Sequence, residues 1–207
     1  MKLFDTKINP LDCAVISEVI AKGDLGFGRN VIRFETEFGS FSKKRHNIAT
    51  NSASASAFMI FSYLKQVHGE CNVYTTSLGF TSPAWAAKHF GHNLIFVDVN
   101  DELQFSIEDY KEQREIQQSQ LRDIFWESRP HVIMPVLYGG VSNIEGFDSF
   151  YEEKSHNEII VVDSAHCVTP TIKSDFIFFS FHPYKPICTS DGGMISTNDL
   201  QANEYFR

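Results

Sequence analysis

Short apolar runs separated by helix-length stretches leave this chain few folds to choose from. Residues 73–76, 94–99, 131–136 and 158–162 each read as a strand, and Phe176-Ile177-Phe178-Phe179 as a further, buried one. Between them, 83–90, 107–118 and 144–151 read as helices, and the turn Ser190-Asp191-Gly192-Gly193-Met194-Ile195 leads into a closing strand. Upstream, Leu11, Val15, Val19 and Ile20 mark a helix over 10–22, which Gly23-Asp24-Leu25-Gly26-Phe27-Gly28 breaks. Phe34, Phe38 and Phe41 mark a second, short amphipathic helix. The strand Asn47-Ile48-Ala49-Thr50 then runs into a small-residue turn, Asn51-Ser52-Ala53-Ser54-Ala55-Ser56-Ala57, opening a helix that reaches about Val67. Strands alternating with segments of ~10–15 residues imply β-α-β units. The expected fold is a three-layer α/β/α domain with a mostly parallel mixed sheet and helices on both faces. No internal repeat, low-complexity segment or linker divides the chain. The charged, glutamine-rich stretch 113–128 reads as an exposed helix and loop.

Charge narrows the partners. Eighteen basic and 26 acidic residues give a net charge of -8, and no basic run exceeds Lys43-Lys44-Arg45, which argues against nucleic acid. Any phosphate site must be local, built from backbone N–H groups. Four cysteines without a C-x-x-C pair argue against a zinc site or a disulfide framework. Met1-Lys2-Leu3-Phe4-Asp5 lacks the apolar core of a signal peptide, and no apolar run approaches the ~20 residues that span a bilayer. The expectation is a cytoplasmic protein with no membrane partner.

In open α/β sheets, ligands bind outside the carboxyl ends of the strands. Those ends carry Asn51 to Ser56, Phe80, Asp98, Tyr138-Gly139-Gly140, Asp163-Ser164-Ala165-His166, Ser180 and Lys185. All of them are candidates for one pocket. A lysine amine forms a Schiff base with a carbonyl compound when burial or nearby charge lowers its pKa. Pyridoxal phosphate chemistry needs such a lysine, an acid near the ring nitrogen, an anion cradle and a flat side chain over the ring. Lys185, Asp163, the helix start at Ala53 and Ser54 with Ser180 beside it, and Phe80 are candidates for these four roles. His166 is a candidate for a bond to the cofactor. Taken singly, each has a plainer reading: a loop lysine, a turn cap at Asp163, an ordinary N-cap, a core Phe80, a satisfied His166.

Jointly they are more specific. Asp163-Ser164-Ala165-His166, then Ser180-Phe181-His182-Pro183-Tyr184-Lys185, then Asp191-Gly192-Gly193, resembles the DegT/StrS family of sugar aminotransferases, which are fold-type-I pyridoxal phosphate enzymes. Gly26-Phe27-Gly28, Asn51-Ser52-Ala53-Ser54, Phe96-Val97-Asp98-Val99 and Val136-Leu137-Tyr138-Gly139 match further family segments, so the likeness covers essentially the whole chain. The resemblance implies Lys185 as the Schiff-base lysine and Asp163 at the pyridine nitrogen. It implies Ala53, Ser54 and Ser180 for the phosphate, Phe80 stacked on the ring, and His166 close to it. Lysine at 185 sits on the aminotransferase side, since a dehydrating branch carries histidine there. Ala53-Ser54 stands where Gly-Thr is usual, and Gly140 where Gln is often found.

The same resemblance implies an aminotransferase acting on a nucleotide-linked keto sugar, with glutamate as amino donor. Family members form homodimers, and the Phe34, Phe38 and Phe41 helix is expected to expose apolar surface that a partner covers. The chain stops at Phe206-Arg207, inside what would be the first helix beyond the cofactor domain. Residues 1–207 are therefore expected to be the pyridoxal-phosphate-binding large domain, truncated before the small C-terminal domain. The alternative is a truncated domain that binds the cofactor or a partner chain without turnover.

Overall fold

Asn9 opens the first helix, α1 (Pro10–Lys22): its side chain accepts the N–H groups of Leu11 and Asp12, and Asp12 reaches back to the Asn9 N–H. In this computed structural model, residues 9–23, 25–120, 126 and 128–207 are described. The expectations for Met1 to Asp5, for Asp24 in the helix-breaking stretch, and for 121–125 and 127 within the 113–128 stretch lie outside the described residues.

The second helix, α2 (Arg29–Ser42), leads to β1 (His46–Thr50), α3 (Ala53–His68), β2 (Asn72–Thr76), α4 (Thr81–His89) and β3 (Asn93–Val97). Then come α5 (Ile107–Gln120), β4 (His131–Met134), a 3-10 turn at Tyr138–Gly140, α6 (Phe147–Glu153), β5 (Glu158–Asp163), β6 (Phe176–Ser180), β7 (Gly193–Thr197) and α7 (Leu200–Phe206). The seven strands form one sheet in the order β1-β7-β6-β5-β4-β2-β3. Only β7 runs against its neighbours; the other pairings are parallel.

Both faces of the sheet are apolar, as a parallel sheet covered on both sides requires. Along β5, Ile160 and Val162 enter one core and Val161 the other, the period-2 alternation of a strand. One core gathers Phe38, Ile107, Tyr110, Phe147 and Phe150 from α2, α5 and α6. The other gathers Ile60, Phe61, Ala86 and Phe206 from α3, α4 and α7. This is the expected three-layer α/β/α fold.

Several details differ from the sequence reading. Phe34 and Phe38 do not await a partner: Phe38 is 2% exposed and meets Phe179 and Phe181 edge-on at 4.9 and 5.5 Å, and Phe34 meets Phe181 at 5.4 Å. Of that trio only Phe41 stays substantially exposed. Uncovered apolar side chains also lie on α1, where Leu11, Val15, Ile16 and Ile20 are exposed and no residue is buried. β4 ends at Met134, ahead of Pro135, which has no N–H to give a ladder. α6 starts at Phe147 rather than at Ile144, because Ile144 is spent as a buried anchor ahead of it.

Candidate active site

The carboxyl ends of β1, β5 and β6 and the start of β7 share one edge of the sheet, because β7 runs the opposite way between β1 and β6. Gly193 pairs with Thr50 on one side and Ser180 on the other. It must be glycine for a reason of space: a Cβ there would stand 2.5 Å from the Ser52 carbonyl carbon and 2.7 Å from Ala53 N. The start of α3 is thus pressed against the start of β7.

Ser52 caps α3 by accepting the Ala55 N–H at 3.1 Å, which leaves the N–H groups of Ala53 and Ser54 unclaimed by the cap. Ser54 Oγ lies 2.7 Å from Ser82 Oγ in the first turn of α4, so two helix starts meet. Their dipoles and open N–H groups favour an anion. Ser180, buried at the end of β6, accepts weakly from the His182 N–H at 3.5 Å.

Asp163 ends β5 and is 3% exposed. Burial pushes its carboxyl up to about 6, opposed by the Ala165 N–H donated at 3.0 Å and by the charge of Lys185. Lys185 is half-buried in the loop after β6, where burial lowers its pKa against the pull of Asp163. The two therefore sense each other across the strand ends. His166 is also held below its ordinary value, first by burial and then by the Lys185 charge. It accepts the Gly139 N–H at Nδ1 over 3.4 Å, which puts its own proton on Nε2, and Tyr138 lies beside its ring at 5.7 Å.

Phe80 precedes α4 and is 72% exposed. It shares a cavity of about 500 Å³ with Asp163, Thr76, Val136 and Trp85. A flat ring and a buried carboxylate thus face one space. Asp98 does not line that cavity; it accepts the Val99 N–H in a turn, and its own N–H donates to Asp109. Ser82 is the residue here that sequence reading did not single out, because its partner Ser54 lies 28 positions away; Gly139 and the Gly192-Gly193 turn were already marked by their segments.

The mostly parallel seven-stranded sheet with helices on both faces is the large-domain fold of the fold-type-I pyridoxal phosphate transferases, and the structural neighbours share it. The chain belongs to the DegT/DnrJ/EryC1/StrS aminotransferase family, whose profile matches residues 7–207. It is 28% identical over 200 residues to the spore coat polysaccharide biosynthesis protein SpsC of Bacillus subtilis, covering 93% of this chain and 48% of that one. It is 29% identical over 181 residues to a GDP-perosamine synthase of Caulobacter vibrioides, covering 83% and 45%. Among solved structures, Helicobacter pylori PseC, an aminotransferase of pseudoaminic acid biosynthesis, superposes with a TM-score of 0.79 at 22% identity, over 99% of this chain and 55% of PseC. A putative sugar aminotransferase of Streptococcus pneumoniae solved in its PLP form gives 0.76 at 21% identity, over 100% and 56%. The chain spans about half the length of the curated relatives it matches. Among the described residues, no helix is long and apolar enough to cross a membrane.

Proposed function

We propose that this chain is the cofactor-binding large domain of a pyridoxal-phosphate-dependent aminotransferase that moves an amino group from glutamate to a nucleotide-linked keto sugar. The observation that carries the reading is that buried Asp163 and half-buried Lys185 stand on the same strand-end edge of the sheet as the start of α3 at Ala53 and Ser54. The residues fit the cofactor: the Ser52 cap takes the Ala55 N–H and leaves those of Ala53 and Ser54, and Ser54 meets Ser82 at the start of a second helix, a donor set suited to a phosphate. When bound, the cofactor supplies an aldehyde to carry the amino group and a ring that takes up electrons from a broken C–H bond.

The chain's own residues do the rest. Ala53 and Ser54 would hold the phosphate through their backbone N–H groups, with the Ser180 hydroxyl beside them. The Asp163 carboxylate would hold the ring nitrogen protonated. Phe80 would keep water off the ring, and His166 Nε2–H would donate a hydrogen bond to the cofactor. Lys185 Nζ would hold the cofactor and move the proton at the donor's α-carbon. Relatives named for GDP-perosamine and for an altrosamine derivative support the sugar assignment. A homodimer is part of this reading, supported by the exposed apolar residues of α1.

A second reading is favoured by one observation, that the chain spans about half of its relatives' length. In it, the domain binds the cofactor or a partner chain and turns over nothing. Glutamate added to the PLP-loaded protein separates the two. Conversion of the visible cofactor band supports the aminotransferase, and an unchanged band supports the second reading.

A further inference from the structure

We propose that Thr189 is a positioning residue for Lys185, clasping the lysine's loop onto the glycine turn beside the anion cradle. This rests on the reading of Lys185 as the point of cofactor attachment. Residues 181–192 leave β6 and return to β7 with both ends tied. The Phe181 N–H donates to the Gly192 carbonyl at 2.9 Å, and the Thr189 N–H donates to the Phe181 carbonyl at 3.0 Å. Thr189 Oγ1 then donates to the Asp191 carbonyl at 2.6 Å. One residue thus holds the root of the loop through its backbone and the turn through its side chain.

The turn is shaped to receive that hydroxyl. A Cβ at residue 192 would stand 2.8 Å from Thr189 Oγ1, and Gly192 has φ +146°, a conformation side chains avoid. Below it, the buried Phe181 ring is wedged against Phe34 and Phe38, so the root has little freedom. Beyond it, Gly193 abuts Ser52 and Ala53. Lys185 itself is held by its N–H donated to the His182 carbonyl at 2.9 Å. Closure of the loop therefore sets where the amine stands relative to the cradle. Thr189 touches neither substrate nor cofactor in this scheme; it restricts the positions the amine samples, and positioning is a large share of rate.

The test compares Thr189→Val, which keeps the volume and loses the hydroxyl, with Thr189→Ser, which keeps it. In the cofactor-free protein, amide exchange of the 182–190 segment should rise about threefold or more in Thr189→Val and match wild type in Thr189→Ser. With added pyridoxal phosphate, borohydride trapping at Lys185 should slow about tenfold at pH 7 in Thr189→Val. Its pH profile should also move to higher pH, because a loosened amine is better hydrated. Thr189→Ala gives the same comparison should Thr189→Val fail to fold. Wild-type exchange and an unmoved pH profile in the variants lacking the hydroxyl would overturn the proposal. Trapping in wild type at another lysine, or at none, would instead overturn the functional reading, and the exchange result would still decide whether the clasp exists.

Discussion

Asp163 is a carboxylate held where water scarcely reaches it, and that has a cost before any cofactor binds. Its folded pKa near 6 stands above the ordinary 3.8. Between about pH 4 and 6 the native protein therefore holds one proton more than the unfolded chain, and stability falls as pH rises through that window. Asp163→Asn, with no proton to lose, should raise the melting temperature of the cofactor-free protein at pH 8, by at most ~2–3 kcal/mol of stability, and change little at pH 4. Calorimetry at both pH values decides it. The same substitution should slow the glutamate half-reaction about 100-fold or more, since the ring nitrogen loses its charge partner. An unchanged rate would leave Asp163 only its turn bond to Ala165. Lys185→Ala should abolish borohydride-trapped pyridoxal phosphate, read by mass spectrometry; trapping at another lysine would reassign the role. The places of Asp163 at a strand end and of Lys185 in the loop after one were legible, because the apolar runs 159–162 and 176–179 precede them. Ser82 was not, since its bond to Ser54 joins segments that share no local pattern.

At the scale of elements, the site depends on how closely β7 approaches α3. Gly193→Ala should drive a methyl group into the Ser52 and Ala53 backbone, costing roughly 3 kcal/mol and weakening cofactor affinity about tenfold or more. Melting and cofactor titration measure both; affinity equal to wild type would remove Gly193 from the cradle. Phe38→Ala, which empties the aromatic contact between α2 and the β6 strand, should lower stability by about 3–5 kcal/mol in denaturant unfolding. Strands were the readable elements, because burial on both faces writes them as unbroken apolar runs. Helix starts were less so: Ile144 has the right character for a helix but serves as a core anchor one turn too early. The phenylalanines of α2 were correctly read as one face, and their cover turned out to be Phe179 and Phe181 of the same chain.

For the whole molecule, light scattering at tens of micromolar should report a homodimer; a monomer at that concentration would remove the assembly claim. Sugar amination should be slow or absent compared with a relative of full length, and full turnover by residues 1–207 alone would show that nothing further is needed. The order of strands has a consequence in time. β1 and β7 are neighbours although they come from opposite ends of the described sequence. Closing so long a loop is entropically slow, and it cannot occur until β7 has been synthesised. A growing chain can assemble β2, β3, β4 and β5 by successive β-α-β additions, and β6 through the helix-free connection after β5, while β1 waits unpaired, its edge open to wrong neighbours. The contact between the start of α3 and Gly193 is therefore made last, in the same step that adds β1 to the sheet.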